Sequence, residues 1–381
     1  MRHVRALHVN LGGVLAPEEV IGRDREVEEI VRAIEGPGAL LTGDRRMGKT
    51  SVIRAVEARA RKEGFAVVRM SAERTSLEEF VEALAEALVR LGPKVRREVE
   101  RWRVTAHAGP ITAARIRTPR SLDELIRRTV EAAAPHPLVL IVDEVPVLAK
   151  TLERQRPGSG GQFLHLIRRL RQDHDGLRMV LSGSIGFHHV TGEAPGTVND
   201  VQRVRIGPLA EEDAVYLARC LLLGEHVPTE DELAVARAIA SAAENVPYYE
   251  HHLVNAANRA AGAAGEPVDP GDVPGLVDAA LVDPDDAWDL RHYRDRLEDY
   301  YGTETRLAAA VLDACAVTKD ALSVDDLLAR VALVDELPPV TRDELTRLLE
   351  RLEADHYLVR QGNGDHFPRN LVRRAWLAFR R

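Results

Sequence analysis

The chain has 381 residues, enough for two or three domains with cores of their own. Its 52 Lys and Arg against 60 Asp and Glu give a net charge of −8, which disfavours a protein that coats nucleic acid over its whole surface and leaves local basic patches open. With 45% hydrophobic and 29% charged residues the composition is globular and excludes a largely disordered chain.

Residues 1–38 read as a lead-in with turn signals at Gly12-Gly13, Pro17 and Gly36-Pro37 and one helix near 24–35. The first thirteen residues lack the apolar core of a signal peptide. From 39 to 206, short β-rich runs at 39–42, 65–70, 138–142, 179–182 and 203–206 alternate with helical text, which predicts βαβ units and a parallel sheet. The run 138–142 has no polar alternation, as expected of a central strand covered on both faces. It is also the longest purely aliphatic run and far too short to span a membrane, so a cytoplasmic protein without membrane contact is expected. Gly207-Pro208 breaks the pattern. From 209 to 262 the text is helical: Glu211, Glu212 and Asp213 open one helix, Thr229 with Glu232 predicts a capping box for the next, and Pro247 suits the first turn of a third. Residues 262–287 are rich in Gly, Pro and Asp and read as a linker; helices follow, then a hairpin around Gly362-Asn363-Gly364. The two cysteines, Cys220 and Cys315, stand in helical text outside any CxxC pair and read as buried thiols; the 14 histidines contain no HExxH spacing, and no zinc site is expected.

Two motifs carry chemistry. Residues 43–50 read Gly43-Asp44-Arg45-Arg46-Met47-Gly48-Lys49-Thr50, a complete G-x-x-x-x-G-K-T between strand text and helix text, with Ser51 next in the helix. Glycines let the backbone N–H groups turn inward around phosphates, and the helix N-terminus adds its positive end. Lys49 can then reach the β- and γ-phosphates, and the Thr50 hydroxyl can ligate Mg²⁺. The run 138–142 ends in Asp143-Glu144. In that context Asp143 holds Mg²⁺, directly or through water, and Glu144 polarises the attacking water. The plainer alternative for this pair is an acidic opening of a helix.

Further segments carry a family resemblance. Val20-Ile21-Gly22-Arg23-Asp24-Arg25-Glu26 looks like the box ahead of the phosphate loop in AAA+ and STAND ATPases, and GDRRMGKTSVI resembles the loop of the archaeal-type ATPase family, which is related to origin-recognition ATPases. Leu181-Ser182-Gly183-Ser184 resembles that family's fourth-strand sensor segment, 205–209 its strand-to-lid junction, Asn245-Val246-Pro247-Tyr248-Tyr249 its lid-helix start, and 365–376 its ending after a winged helix. The resemblance spans 16–377 and implies an α/β P-loop NTPase fold: a five-stranded parallel sheet of order 5-1-4-3-2, a helical lid and a C-terminal winged helix. The domains would be a nucleotide-binding core with its N-terminal linker (1–208), a lid and linker (209–287), and a winged helix with a basic tail (288–381). It further implies ATP or ADP with Mg²⁺, Val20 and Ile21 against the adenine beside Gly22 and Arg23, Ser182 or Ser184 sensing the γ-phosphate, and Pro208 and Tyr248 near the nucleotide. Two departures stand out: Arg46 and Glu244 each occupy a position where the family usually has Gly.

An arginine finger would complete such a site. Arg168, Arg169 and Arg171 are the candidates, with a solvated helix face as the bland alternative; the sequence does not choose among them. Arg259 is a candidate lid arginine. Residues 94–120 form a basic segment, with Lys94, Arg96, Arg97, Arg101, Arg103, Arg115, Arg117 and Arg120 against Glu98 and Glu100, and contain Trp102. It reads as a contact for DNA or an acidic partner, or as a solvated insert. Residues 155–161 (QRPGSGG) read as a flexible connector. The winged helix would comprise helices at 304–317, 323–332 and from Thr341, capped by Glu344 and burying Leu345, Leu348, Leu349 and Leu352, with the wing at 356–367. A DNA-reading helix presents basic or amide side chains. Residues 341–353 carry three Arg against four acidic residues and no Asn, Gln or Lys, which favours a protein-contact or autoinhibitory module. The tail residues Arg369, Arg373, Arg374, Arg380 and Arg381 suit a phosphate backbone or an acidic protein surface. The expected function is a Mg²⁺-dependent ATPase acting as a nucleotide-gated switch through a protein partner or self-assembly. The alternatives are a DNA-associated loader or motor and a nucleotide-binding scaffold with negligible turnover.

Overall fold

A computed structural model describes residues 2–13, 15–74, 76–107, 119–183, 186, 189, 195–335 and 337–379. The expectations for Arg115, Arg117, Ser184, Arg380 and Arg381 lie outside the described residues. The chain forms two compact units, one of residues 15–207 and one of residues 1–14 with 208–381.

In the first unit the elements run α1 (Asp24–Ala33), β1 (Gly38–Thr42), α2 (Lys49–Lys62), β2 (Ala66–Ser71), α3 (Leu77–Val89), α4 (Pro93–His107), α5 (Pro119–Ala133), β3 (Leu138–Asp143), α6 (Val145–Gln155), α7 (Ser159–Asp173), β4 (Leu177–Ser182) and β5 (Gln202–Arg205). The five strands are parallel in the order β2-β3-β4-β1-β5, the predicted order read from the other edge. Leu140 faces Val68 and Met179 across the ladder, and Leu40 faces Leu181. Val68, Leu140, Val142, Met179 and Leu181 bury one face of the sheet against Phe80, Trp102, Leu125, Leu148 and Phe163 of α3 to α7. The alternate residues Val67, Val139, Ile141 and Val180 are also buried and lie on the opposite face, where α1 and α2 pack. This double cover explains the unbroken apolar run of β3.

The expected connector at 155–161 is corrected. The helices close it to residues 156–158, because the Glu153 carboxylate accepts the Gly158 and Gly160 amides at 2.7 and 2.9 Å and so starts α7 early.

The second unit holds α8 (Glu211–Gly224), α9 (Glu232–Ala242), α10 (Pro247–Ala264), α11 (Val273–Leu281), α12 (His292–Tyr301), α13 (Thr305–Val317), β6 (Leu322–Ser323), α14 (Val324–Val331), α15 (Arg342–Ala354), β7 (Val359–Gln361), β8 (Gly364–His366) and α16 (Asn370–Ala378). The three short strands form an antiparallel sheet of order β6-β8-β7, turning at Gly362 with φ 62°. Thr341 and Glu344 cap α15 as predicted, and its four leucines are buried. Residues 1–14, read above as lead-in to the core, group here: the Leu7 amide donates to the Cys220 carbonyl at 3.0 Å.

Two local expectations fail in this unit. The cap of α9 is Asp231, whose carboxylate accepts the Ala234 amide, not Thr229. Thr229 is taken up instead by a parallel bridge to Val268, and Glu232 accepts from Arg219. The supposed linker 262–287 contains α11. Asp269 and Asp272 close a capping turn before it, and Val273, Val277 and Leu281 recur at helical spacing and are buried. Both cysteines are buried free thiols as expected, and burial pushes the Cys315 thiol up to about 12. Among the described residues no helix is long and apolar enough to cross a membrane.

Candidate nucleotide-binding site

The loop 43–48 leaves β1, one strand in from the sheet edge, and enters α2 at Lys49. Gly43 has φ 144°, and a Cβ there would stand 2.2 Å from the Ile206 carbonyl oxygen. Gly48, the N-cap of α2, has φ 88° with open space around it, so its backbone angle alone requires glycine. Arg46 has φ 71°, which accounts for the family's usual glycine at this position. Lys49 is buried, and its Nζ donates to the carbonyls of Gly43 and Asp44 at 2.8 and 2.9 Å. The ammonium therefore lies inside the loop it serves. Asp44 is buried and its Oδ1 accepts the Arg45 amide, while Arg45 and Thr50 are exposed and Ser51 is half-buried.

The acidic pair stands at the carboxyl end of β3. Asp143 Oδ1 accepts the Glu144 amide at 3.0 Å and the hydroxyl of Ser182, which is fully buried at the end of β4. Ser182 in turn lies opposite Leu41 of β1, so it bridges the loop strand and the acidic strand. Glu144 stands at the N-cap position of α6 in a left-handed conformation, φ 57°, and its side chain makes no cap hydrogen bond.

Arg23 makes its contacts within the protein. It is buried, pairs with Glu26 at 2.9 Å, and donates through Nη2 to the carbonyls of Met47 at 2.9 Å and Gly207 at 2.6 Å. It clamps the phosphate loop to the exit of β5. The i,i+3 spacing of Arg23 and Glu26 was the available sequence signal. Val20 and Ile21 are half-buried apolar residues beside Gly22, which has φ 67°.

Of the three candidate finger arginines, Arg171 is committed to a structural pairing. Its side chain is 0% exposed and makes a two-pronged ion pair with Asp200 at 2.8 and 3.1 Å, with a further bond to the Thr197 carbonyl. Leaving this pair to meet a phosphate would strand a buried charge at a cost of about 3–5 kcal/mol. Arg168 donates to the Gly196 carbonyl, whereas Arg169 is half exposed with a loose 3.8 Å contact to Asp173. Pro208 and Tyr248 belong to the other unit. There Leu209 donates to Asn245, Tyr248 lies 4.4 Å ring to ring from His252, and Arg259 is exposed. Glu244 and Asn245 have φ 53° and 59°, which explains the family's usual Gly at 244.

A glycine-shaped loop around a buried lysine, with a braced carboxylate two strands away, defines a P-loop nucleotide-binding protein. Residues 19–180 match the family model described as the AAA ATPase domain. None of the curated protein sequences matches significantly. Among solved structures, the chain is similar in fold to the Walker-type ATPase PABY2304 of Pyrococcus abyssi, with 16% identity, TM-score 0.68 and coverage of 97% of this chain and 99% of that one. It is also similar to the ORC2 protein of Aeropyrum pernix, solved in ADPNP–ADP complexes, with 13% identity, TM-score 0.57 and 97% of each chain covered.

Proposed function

We propose that the protein is a Mg²⁺-dependent cytoplasmic ATPase that works as a nucleotide-gated switch through a protein partner. The observation that carries the chemistry is the convergence of Lys49 on the loop carbonyls with Asp143 braced by Ser182. Incoming phosphate oxygens would draw the Lys49 ammonium from the Gly43 and Asp44 carbonyls. Thr50 hydroxyl and Asp143 carboxylate are hard oxygen donors of the kind Mg²⁺ takes alongside phosphates. Bound there, the ion would neutralise charge on the phosphates. Glu144, carried on a left-handed residue at the strand end, would orient the attacking water.

The partner reading rests on the C-terminal domain. Its order of helix, strand, two helices and hairpin suits a winged helix with α15 as third helix. Arg342 of α15 pairs with Asp325, and Arg351 pairs with Glu304, so each of these two arginines already has a carboxylate partner on a neighbouring element, which weakens its case as a base-reading side chain.

The test is ATP turnover by the purified protein at low and moderate salt, with and without duplex DNA, against Lys49→Ala as the blank. Lys49→Ala should lose nucleotide binding, and Glu144→Gln should bind ATP yet lose turnover. Turnover indifferent to DNA supports the switch. DNA-stimulated turnover that fades with salt would replace it with a loader or motor. Normal turnover by Glu144→Gln would remove Glu144 as the water-orienting group.

A further inference from the structure

The sheet of the first unit ends at β2, and among the described residues no strand pairs with its outer edge. Ala66 donates to the Pro137 carbonyl and Ala72 to the Asp143 carbonyl, both toward β3. In a parallel ladder the backbone groups of successive residues face opposite sides. Val67 and Arg69 therefore turn their N–H and C=O groups outward, away from β3. Beside them runs a groove of about 690 Å³, bounded by the C-terminal ends of α2 and α3 and floored by 65–69. That volume is ample for an extended peptide segment.

The groove is cationic. Arg61, Arg69, Arg90 and His136 line it, and among the described residues Glu57 is its one carboxylate. Glu57 is already divided between Arg61 and Arg69 at 2.7 Å each. Arg61 also donates to the outward Val67 carbonyl at 3.2 Å. Arg90 is exposed and has no ion-pair partner among the described residues. The next helix continues the same charge with exposed Lys94, Arg96 and Arg97.

We propose that this edge is a docking site for an extended acidic segment of a partner protein, which adds a strand beside β2. The outward groups of Val67 and Arg69 supply main-chain hydrogen bonds, and the arginines select carboxylates at alternate positions of the incoming strand. Arg61 swings off the Val67 carbonyl as the new strand takes that acceptor. The site is separate from the phosphate loop, so its test does not read turnover and stands or falls apart from the ATPase assignment.

The experiment uses the full chain and a fluorescent octapeptide alternating Glu and Val, followed by anisotropy and by amide hydrogen exchange. Expected are saturable, salt-sensitive binding and slowed exchange at Val67 and Arg69. Arg90→Glu, a change at an exposed position, should weaken binding by at least about tenfold. A peptide N-methylated at alternate residues keeps its charge but loses the edge-facing donors, and should also bind at least about tenfold more weakly. Undiminished binding of the N-methylated peptide, or protection away from β2, would overturn strand addition. Failure of the peptide while single-stranded DNA protects the same amides would overturn it in favour of nucleic acid.

Discussion

Arg23 directs its whole fork inward, to Glu26 and to the carbonyls of Met47 and Gly207. Removing it takes a charged donor from Glu26 and from the Met47 and Gly207 carbonyls, so Arg23→Ala should cost about 2–4 kcal/mol. The urea midpoint of the 15–207 unit reports the loss, and ATP affinity should fall with it because the loop is no longer held. Arg23→Lys should restore only a minor part, since one ammonium cannot span three acceptors. Wild-type midpoints for Arg23→Ala would end the clamp assignment. Arg171 offers a companion test. Arg171→Ala breaks a buried ion pair and should cost about 3–5 kcal/mol. Arg169→Ala, at an exposed site, should stay within about 0.5 kcal/mol and is the variant in which to look for a loss of turnover per folded molecule. The reactive residues were legible because Gly43, Gly48 and Lys49 are fixed by sterics and charge at set spacing. The fates of Arg23 and Arg171 were not, because residue type gives no burial, and burial decides whether a guanidinium braces backbone or meets ligand.

At the level of elements, the departure at position 244 acquires a purpose within its own unit. Glu244 Oε1 accepts the amides of Asn370 and Leu371, at 2.7 and 3.1 Å, and so caps α16 from the turn that starts α10. Burial raises its carboxyl above the ordinary 4.5; the two amides, Arg369 and Arg374 pull the other way without cancelling it. The folded chain thus holds this proton more tightly than the unfolded chain. Its contribution to stability is fully present below the unfolded value and is lost as pH rises through the folded value. Glu244→Gln keeps an acceptor for both amides and does not titrate. Across a series of denaturation curves from pH 4.5 to neutrality, wild type should lose stability relative to the variant. A relative gain by wild type with rising pH would contradict the burial argument. The same scale shows where pattern reading stopped. The capping box of α15 and the proline start of α10 were legible because each is a local chemical fit. Helix α11 was hidden by its Gly, Pro and Asp content, although the spacing of Val273, Val277 and Leu281 was there to be read. The Thr229 cap failed because that residue is taken up by a bridge to Val268, far along the chain.

Across the whole molecule, the parallel sheet was legible in the alternation of strand and helix text, whereas its strand order came from the family resemblance and not from the pattern. The placement of the first residues was not legible, since 2–13 show no period and are held through backbone. Leu7 donates to Cys220, Val9 to Glu225, and Asn10 to His251 Nδ1, at 2.8–3.0 Å. The close approach rests on one glycine. A Cβ on Gly224, at the end of α8, would lie 2.0 Å from the Leu7 carbonyl oxygen. Gly224→Ala should therefore destabilise the 208–381 unit by forcing the segment off, and deletion of 2–13 should lower the same thermal transition. The two changes remove one contact and should not add. In the deletion background Gly224→Ala should turn neutral or stabilising by up to about 1 kcal/mol, because alanine favours the helix once the obstacle is gone. Lys49-dependent ATP binding should persist in the deletion protein, since the phosphate loop belongs to the other unit. A full additive cost for the double change would mean that Gly224 is needed by α8 itself and that the amino-terminal segment merely lies over it.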